Sequence, residues 1–178
     1  KIKKIRKLGE TSVASFLFLK SLRRTKMKFR HYGTANYEET RVRPISNIQC
    51  FTKPSGGLWA SPIKMDGTAW EEWCEQEDFY THKLNTYFDF VLHDDARVLQ
   101  IHTIDQLKEI AKNNSVTTSI IKTNIYPFDS YILDFEAIAK EYDAIDFRIS
   151  NDQRLYWPLY GWDCDSILVL NPKVIKLV

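Results

Sequence analysis

Strand-like and helix-like stretches follow one another along this chain without strict alternation, and that order limits its fold more than any other feature. Lys28 to Tyr32, Leu58 to Ser61, Tyr87 to Leu92, Val98 to His102, Ala144 to Ile149 and Ser166 to Leu170 read as short strands. Asp94-Asp95 makes a turn between the third and fourth, and Pro44 to Pro54 reads as a loop. Ala69 to His82 reads as a helix with Trp70, Trp73, Cys74 and Glu77 on one side and Glu71, Glu72, Glu75 and Asp78 toward water. Its N-cap is Thr68, with Glu71 or Glu72 near the third helical position. Ile104 to Lys112 opens at Thr103 or Asp105, turns Leu107, Ile110 and Ala111 inward, and ends at Asn113-Asn114. Phe135 to Tyr142 is capped by Asp134 and repeats Phe135, Ile138, Ala139 and Tyr142 at the spacing of one helix face. A doubly wound sheet needs strand and helix to alternate, so this order predicts an α+β fold.

The 178 residues, 44% apolar and 13% aromatic, fit one domain with its own core. The net charge of +2 hides an asymmetry. Residues 1–30 hold eleven Lys and Arg against Glu10 alone, a net +10, which leaves 14 basic and 22 acidic side chains, a net −8, on the other 148. An acidic body repels phosphate backbones, so indiscriminate nucleic-acid binding would have to come from the N-terminal arm. Two readings of that arm stand side by side. Residues 1–26 are either an extension ahead of a natural start at Met27 or a basic segment with an amphipathic helix over Thr11 to Arg24; the domain proper is 27–178.

Cys50, Cys74 and Cys164 are scattered, which points to reduced thiols rather than a disulfide framework or zinc site. His31, His82, His93 and His102 form no paired-ligand spacing, and no metal is expected. The longest apolar run, Val13 to Leu19, is too short to span a bilayer and is followed at once by Lys20, Arg23 and Arg24. The expectation is a cytoplasmic protein with no membrane partner.

Two strand starts carry the functional signal. Phe29-Arg30-His31-Tyr32-Gly33-Thr34 sets a polar side chain beside a glycine turn, and Gly56-Gly57-Leu58-Trp59-Ala60-Ser61-Pro62 sets a glycine pair before an aromatic. Together they suit a cleft for a flat, polar ligand. Near the end of the chain, Asp165-Ser166-Ile167-Leu168-Val169-Leu170-Asn171-Pro172-Lys173-Val174-Ile175 follows an aromatic cluster, Trp157 to Trp162.

In this order the three segments resemble the ADP-ribosyltransferases of the poly(ADP-ribose) polymerase and diphtheria-toxin type. There the first strand reads roughly His-Gly-Thr, the second Gly-Gly-x-Tyr-x-Ser and the last Asn-Glu-Tyr-Val-Val-Tyr-Asp-Pro-x-x-Ile. The resemblance implies a split mixed or antiparallel sheet with short flanking helices. It also implies NAD as substrate, with transfer of ADP-ribose to a protein, a nucleic acid, a small molecule or water. It assigns His31 to the adenosine ribose and the nicotinamide amide, Tyr32 to the cofactor-binding set, Gly33 and Thr34 to close approach of the dinucleotide, Trp59 to stacking on nicotinamide, and Ser61 to the serine that follows. The family glutamate falls on Ser166, which carries no charge. A ribosyl cation needs a fixed carboxylate nearby, so Asp165 or Asp163 is expected to supply it, Asp165 being preferred for its adjacency and Asp163 having the freedom of its loop. On a regular strand Asp165 would point away from Ser166.

Each feature also has a plainer reading. His31 could be a structural histidine, the glycine pair a turn, Trp59 core, and Asp163 and Asp165 turn residues. Trp70 and Trp73 read as core. Cys164 beside two acids is a poor nucleophile, because carboxylates raise a thiol pKa. At the level of function, the alternatives are a nucleotide-binding module that lost catalysis with the glutamate, and an interaction domain with no nucleotide site.

Overall fold

The computed structural model describes residues 26–48, 52–113 and 133–178. The arm helix expected over Thr11 to Arg24, and Cys50, lie outside them. The strands are β1 (Phe29–Tyr32), β2 (Leu58–Lys64), β3 (Gly67–Thr68), β4 (Tyr87–Leu92), β5 (Val98–Ile101), β6 (Ala144–Phe147), β7 (Ser166–Val169) and β8 (Ile175–Leu177). The helices among the described residues are α1 (Ala69–Gln76), α2 (Ile104–Asn113) and α3 (Phe135–Glu141). The fold is α+β, as expected. One open sheet runs β5-β6-β7-β2-β1-β4-β8, with β3 paired to β2. Among the described residues only β5 and β6 run parallel; the other ladders are antiparallel.

The sheet has to bend. β4 and β5 stand five places apart in the strand order, about 24 Å if the sheet were flat. Residues 93–97 alone join them, and His93 closes a turn by accepting from the Ala96 amide at 3.3 Å. A turn-containing linker of that length reaches well short of the flat distance. One apolar cluster accordingly gathers Phe29, Phe88, Phe90 and Ile175 from one side with Ala144, Ile167 and Val169 from the other. The alternate residues Leu99, Ile101, Ile145, Phe147, Leu168 and Trp59 face a second cluster, built with α2, α3 and the segment that ends at Trp162. Leu58 and Ala60 of β2 also join the first cluster, so period-two alternation along β2, β6 and β7 feeds both cores.

Local chemistry fixes the helix starts. Thr68 accepts from the Glu71 amide at 3.2 Å and Asp134 from the Ala137 amide at 3.0 Å. Thr103, rather than Asp105, opens α2: its hydroxyl accepts from the Gln106 amide while the Gln106 side chain returns to the Thr103 amide. The first helix is shorter than the expected Ala69 to His82. It stops at Gln76, Glu77 is exposed rather than inward, and Asp78 and Tyr80 take positive φ, which ends helical geometry. Among the described residues no helix is long and apolar enough to cross a membrane.

Candidate functional site

The β1–β2 ladder holds at two positions, Phe29 opposite Pro62 and Arg30 opposite Ser61. Beyond Arg30, β1 stays with β4 as far as Tyr32, while β2 stays with β7 from Leu58 to Ala60. The strands part inside the sheet, and backbone groups at the parting need other partners. His31 supplies one, with Nδ1 2.6 Å from the Trp59 carbonyl oxygen. A carbonyl only accepts, so Nδ1 bears the proton and Nε2 of the neutral ring keeps a lone pair. Burial holds the His31 pKa below its usual 6.5, against the smaller opposing effect of that hydrogen bond.

The parting opens into a cleft of about 230 Å³. Arg30, His31 and Tyr32 reach it from β1, Trp59, Ala60 and Ser61 from β2, Trp70 from α1, and Trp162, Asp163, Cys164 and Ser166 from the approach to β7, with Lys53 added by a loop. Six of the residues singled out in the sequence therefore meet here: His31, Tyr32, Trp59, Ser61, Asp163 and Ser166. The Trp59 indole meets Trp162 edge to face, centroids 4.7 Å apart. Lys53 Nζ lies 5.2 Å from the Trp59 ring centroid and 3.7 Å from Asp163 Oδ2, so a cation already occupies the space between an aromatic face and a carboxylate.

Several polar atoms are committed to structure. Ser61 donates to the Asp165 carbonyl at 3.0 Å and accepts from the Trp70 amide at 3.3 Å, tying β2 to α1 and to the start of β7. Tyr32 donates to Glu71 at 3.2 Å while its oxygen sits 2.7 Å from the Thr68 hydroxyl. Ser166 donates to the Cys164 carbonyl at 3.1 Å. Arg30 forks onto Asp89 at 2.7 and 2.9 Å, which raises its pKa.

The remaining predicted residues lie outside the cleft. Thr34 closes a local turn on Asn36, and Gly33 takes φ +100°, with open space where a Cβ would stand. Asp165 is 3% exposed; it accepts from the Ser150 amide and hydroxyl at 2.9 and 2.6 Å, with Lys64 Nζ 3.3 Å away. Burial alone would raise the Asp165 pKa, but the Ser150 and Lys64 interactions outweigh it and hold the group ionised. Asp163, with a side chain 19% exposed, is the carboxylate that lines the cleft. Cys164 is pushed up to about 12, first by burial and then by Asp163 and Asp165, so its thiol stays protonated. The Gly56-Gly57 pair is structural: a Cβ on Gly57 would stand 2.7 Å from Leu168 Cδ1.

Arg30, Lys53 and Trp70 were not read from the sequence as part of the site. Lys53 left no signal, since it sits in a loop with no motif. Trp70 read as core, but it stands two residues past the capping Thr68, at the start of a helix that buries only Cys74 and leaves both indoles half-exposed. Comparison of the chain with family models, with curated proteins and with solved structures finds no match in any of the three.

Proposed function

We propose that the cleft binds NAD and that the protein breaks its bond between nicotinamide and ribose, passing ADP-ribose to an acceptor or to water. The observation that carries this reading is the cation held between Trp59 and Asp163. The pyridinium of NAD is a flat cation, and the ribosyl group becomes cationic as nicotinamide leaves. An aromatic face and a carboxylate suit the first and then the second. In this reading Asp163 takes the part that the resemblance gives to a glutamate. His31 offers the Nε2 lone pair to a ribose hydroxyl, and the Nδ1–H bond to Trp59 fixes the ring for that task. A volume of about 230 Å³ is small for a ligand pocket, which fits the nicotinamide-ribose end of the molecule with the rest along the open side.

A second reading is a binding module without turnover. One observation favours it: Ser166 stands where the family carboxylate belongs, buried and turned onto the Cys164 carbonyl. A single experiment tests both. Protein incubated with NAD is assayed by mass spectrometry for free nicotinamide and for ADP-ribose on the protein, on added peptides and on RNA, with calorimetry for binding. Nicotinamide release supports the enzyme; binding without release supports the module. A folded protein giving no heat at millimolar NAD removes both.

A further inference from the structure

We infer that a second pocket, contiguous with the cleft, receives a cationic side chain of a basic peptide as the acceptor of ADP-ribose; this rests on the NAD reading above. The pocket, about 240 Å³, shares Asp163 and Cys164 with the cleft. Their other common boundary is the α1 tryptophan pair: Trp70 lines the cleft and Trp73 the second pocket, with the indoles stacked at 5.1 Å and 18°. A group held against Trp73 would thus stand across Asp163 from a group held against Trp59, the arrangement that transfer between two bound partners requires.

The lining chooses the class of acceptor. Glu72, Asp163 and Asp165 bring three carboxylates against Lys64, whose ammonium is already directed at Asp165. Asp165 is satisfied by Ser150; Glu72 accepts from the Gln76 side chain at 3.3 Å and Asp163 lies 3.7 Å from Lys53 Nζ, and each keeps further acceptor capacity for a partner. Helix α1 adds Glu71 and Glu75 and contains no basic residue. Phosphate would be repelled here. A guanidinium or ammonium group gains from the Trp73 ring and from charge-assisted hydrogen bonds to Glu72 and Asp163. In the transfer, the bond from nicotinamide nitrogen to ribose C1′ breaks and nicotinamide leaves neutral with the electron pair. The acceptor nitrogen passes one proton to Asp163, and from there to solvent, and the electron pair so freed forms the new bond to C1′.

The test uses the full chain, labelled NAD, an arginine- and lysine-rich nonapeptide, an acidic nonapeptide and a single-stranded RNA oligonucleotide. Label is expected on the basic peptide alone. Glu72→Gln and Trp73→Ala should each raise KM for that peptide at least tenfold, and calorimetry without NAD should show matching losses of peptide affinity. Glu72 is exposed, so its substitution leaves folding intact and keeps the test decisive if Trp73→Ala does not fold. Nicotinamide release with label only on RNA or in free ADP-ribose overturns the acceptor assignment and leaves the NAD reading standing. Unchanged peptide KM in Glu72→Gln also overturns it. No nicotinamide release under any condition, despite peptide binding, overturns the acceptor role together with the reading it rests on.

Discussion

Ser150 gives both its amide and its hydroxyl to the carboxylate of Asp165, at 2.9 and 2.6 Å. That double contact, completed by Lys64, separates the roles of two acids that stand two residues apart. Asp165 secures the loop after β6 to the start of β7, while Asp163 faces the cleft.

The two substitutions to asparagine should therefore differ in kind. Asp163→Asn is expected to slow nicotinamide release on the order of 100-fold to 1,000-fold with NAD affinity nearly unchanged. Asp165→Asn keeps an acceptor for the Ser150 amide but removes the charge and sets an NH2 donor against Lys64, a loss of about 1–3 kcal/mol, so Tm should fall by roughly 2–12 °C. Kinetics and thermal melts of both variants check this, and a reversed pattern would return catalysis to Asp165.

Under the proposal that NAD is bound, Lys53 competes with the cationic nicotinamide ring for the face of Trp59. Lys53→Gln removes the competitor, and with a cation–π contact of about 0.5–1 kcal/mol NAD should bind about two- to fivefold more tightly. Calorimetry measures it; weaker binding would instead mark Lys53 as a phosphate contact.

For His31 the folded pKa lies below 6.5. As pH falls through 6.5 the unfolded chain takes up this proton before the folded protein does. The contribution to stability is therefore complete above 6.5 and lost on acidification below it. Wild-type Tm should decline more steeply in that range than Tm of His31→Gln. NAD affinity should stay level from neutral pH to just below 6.5, because Nε2 keeps its lone pair there. An NMR titration placing the His31 pKa above 6.5 would contradict both.

Asp143 governs a more acidic range. It accepts from the Arg97 amide at 2.9 Å and from the Arg97 and Asn171 side chains, which bring its pKa to about 2 despite burial. A carboxyl lowered in this way stabilises the fold above its unfolded pKa near 3.8, and that contribution disappears as pH drops toward 2. Asp143→Asn should flatten the stability curve between those values, read by denaturant titration at each pH.

Much of the fold was legible because its signals are local. Tyr87 to Leu92 forms β4 with the bounds that alternation gave it, and Thr68 and Asp134 cap their helices through contacts three residues long. The end of α1 was not, since the positive φ of Asp78 and Tyr80 follows no glycine signal. At the site, His31, Trp59 and Ser61 could be singled out as a set. Which acid faces inward could not, because β7 begins at Ser166 and strand parity does not reach back to Asp163; the Ser150 contact that holds Asp165 aside comes from the loop after β6. Lys53 and Trp70 join the cleft through pairings that no short window of sequence contains.

The pairing of β2 with both β1 and β7 sets when the cleft can form during synthesis. Residues 30–61 emerge early, yet the opposite wall, Trp162 to Ser166, comes into place only when β7 has slotted between β6 and β2. Contacts across so long a stretch of chain form late and slowly. A ribosome-bound chain that has not yet released β7 has half a cleft, with the wall that carries Asp163 not yet in place.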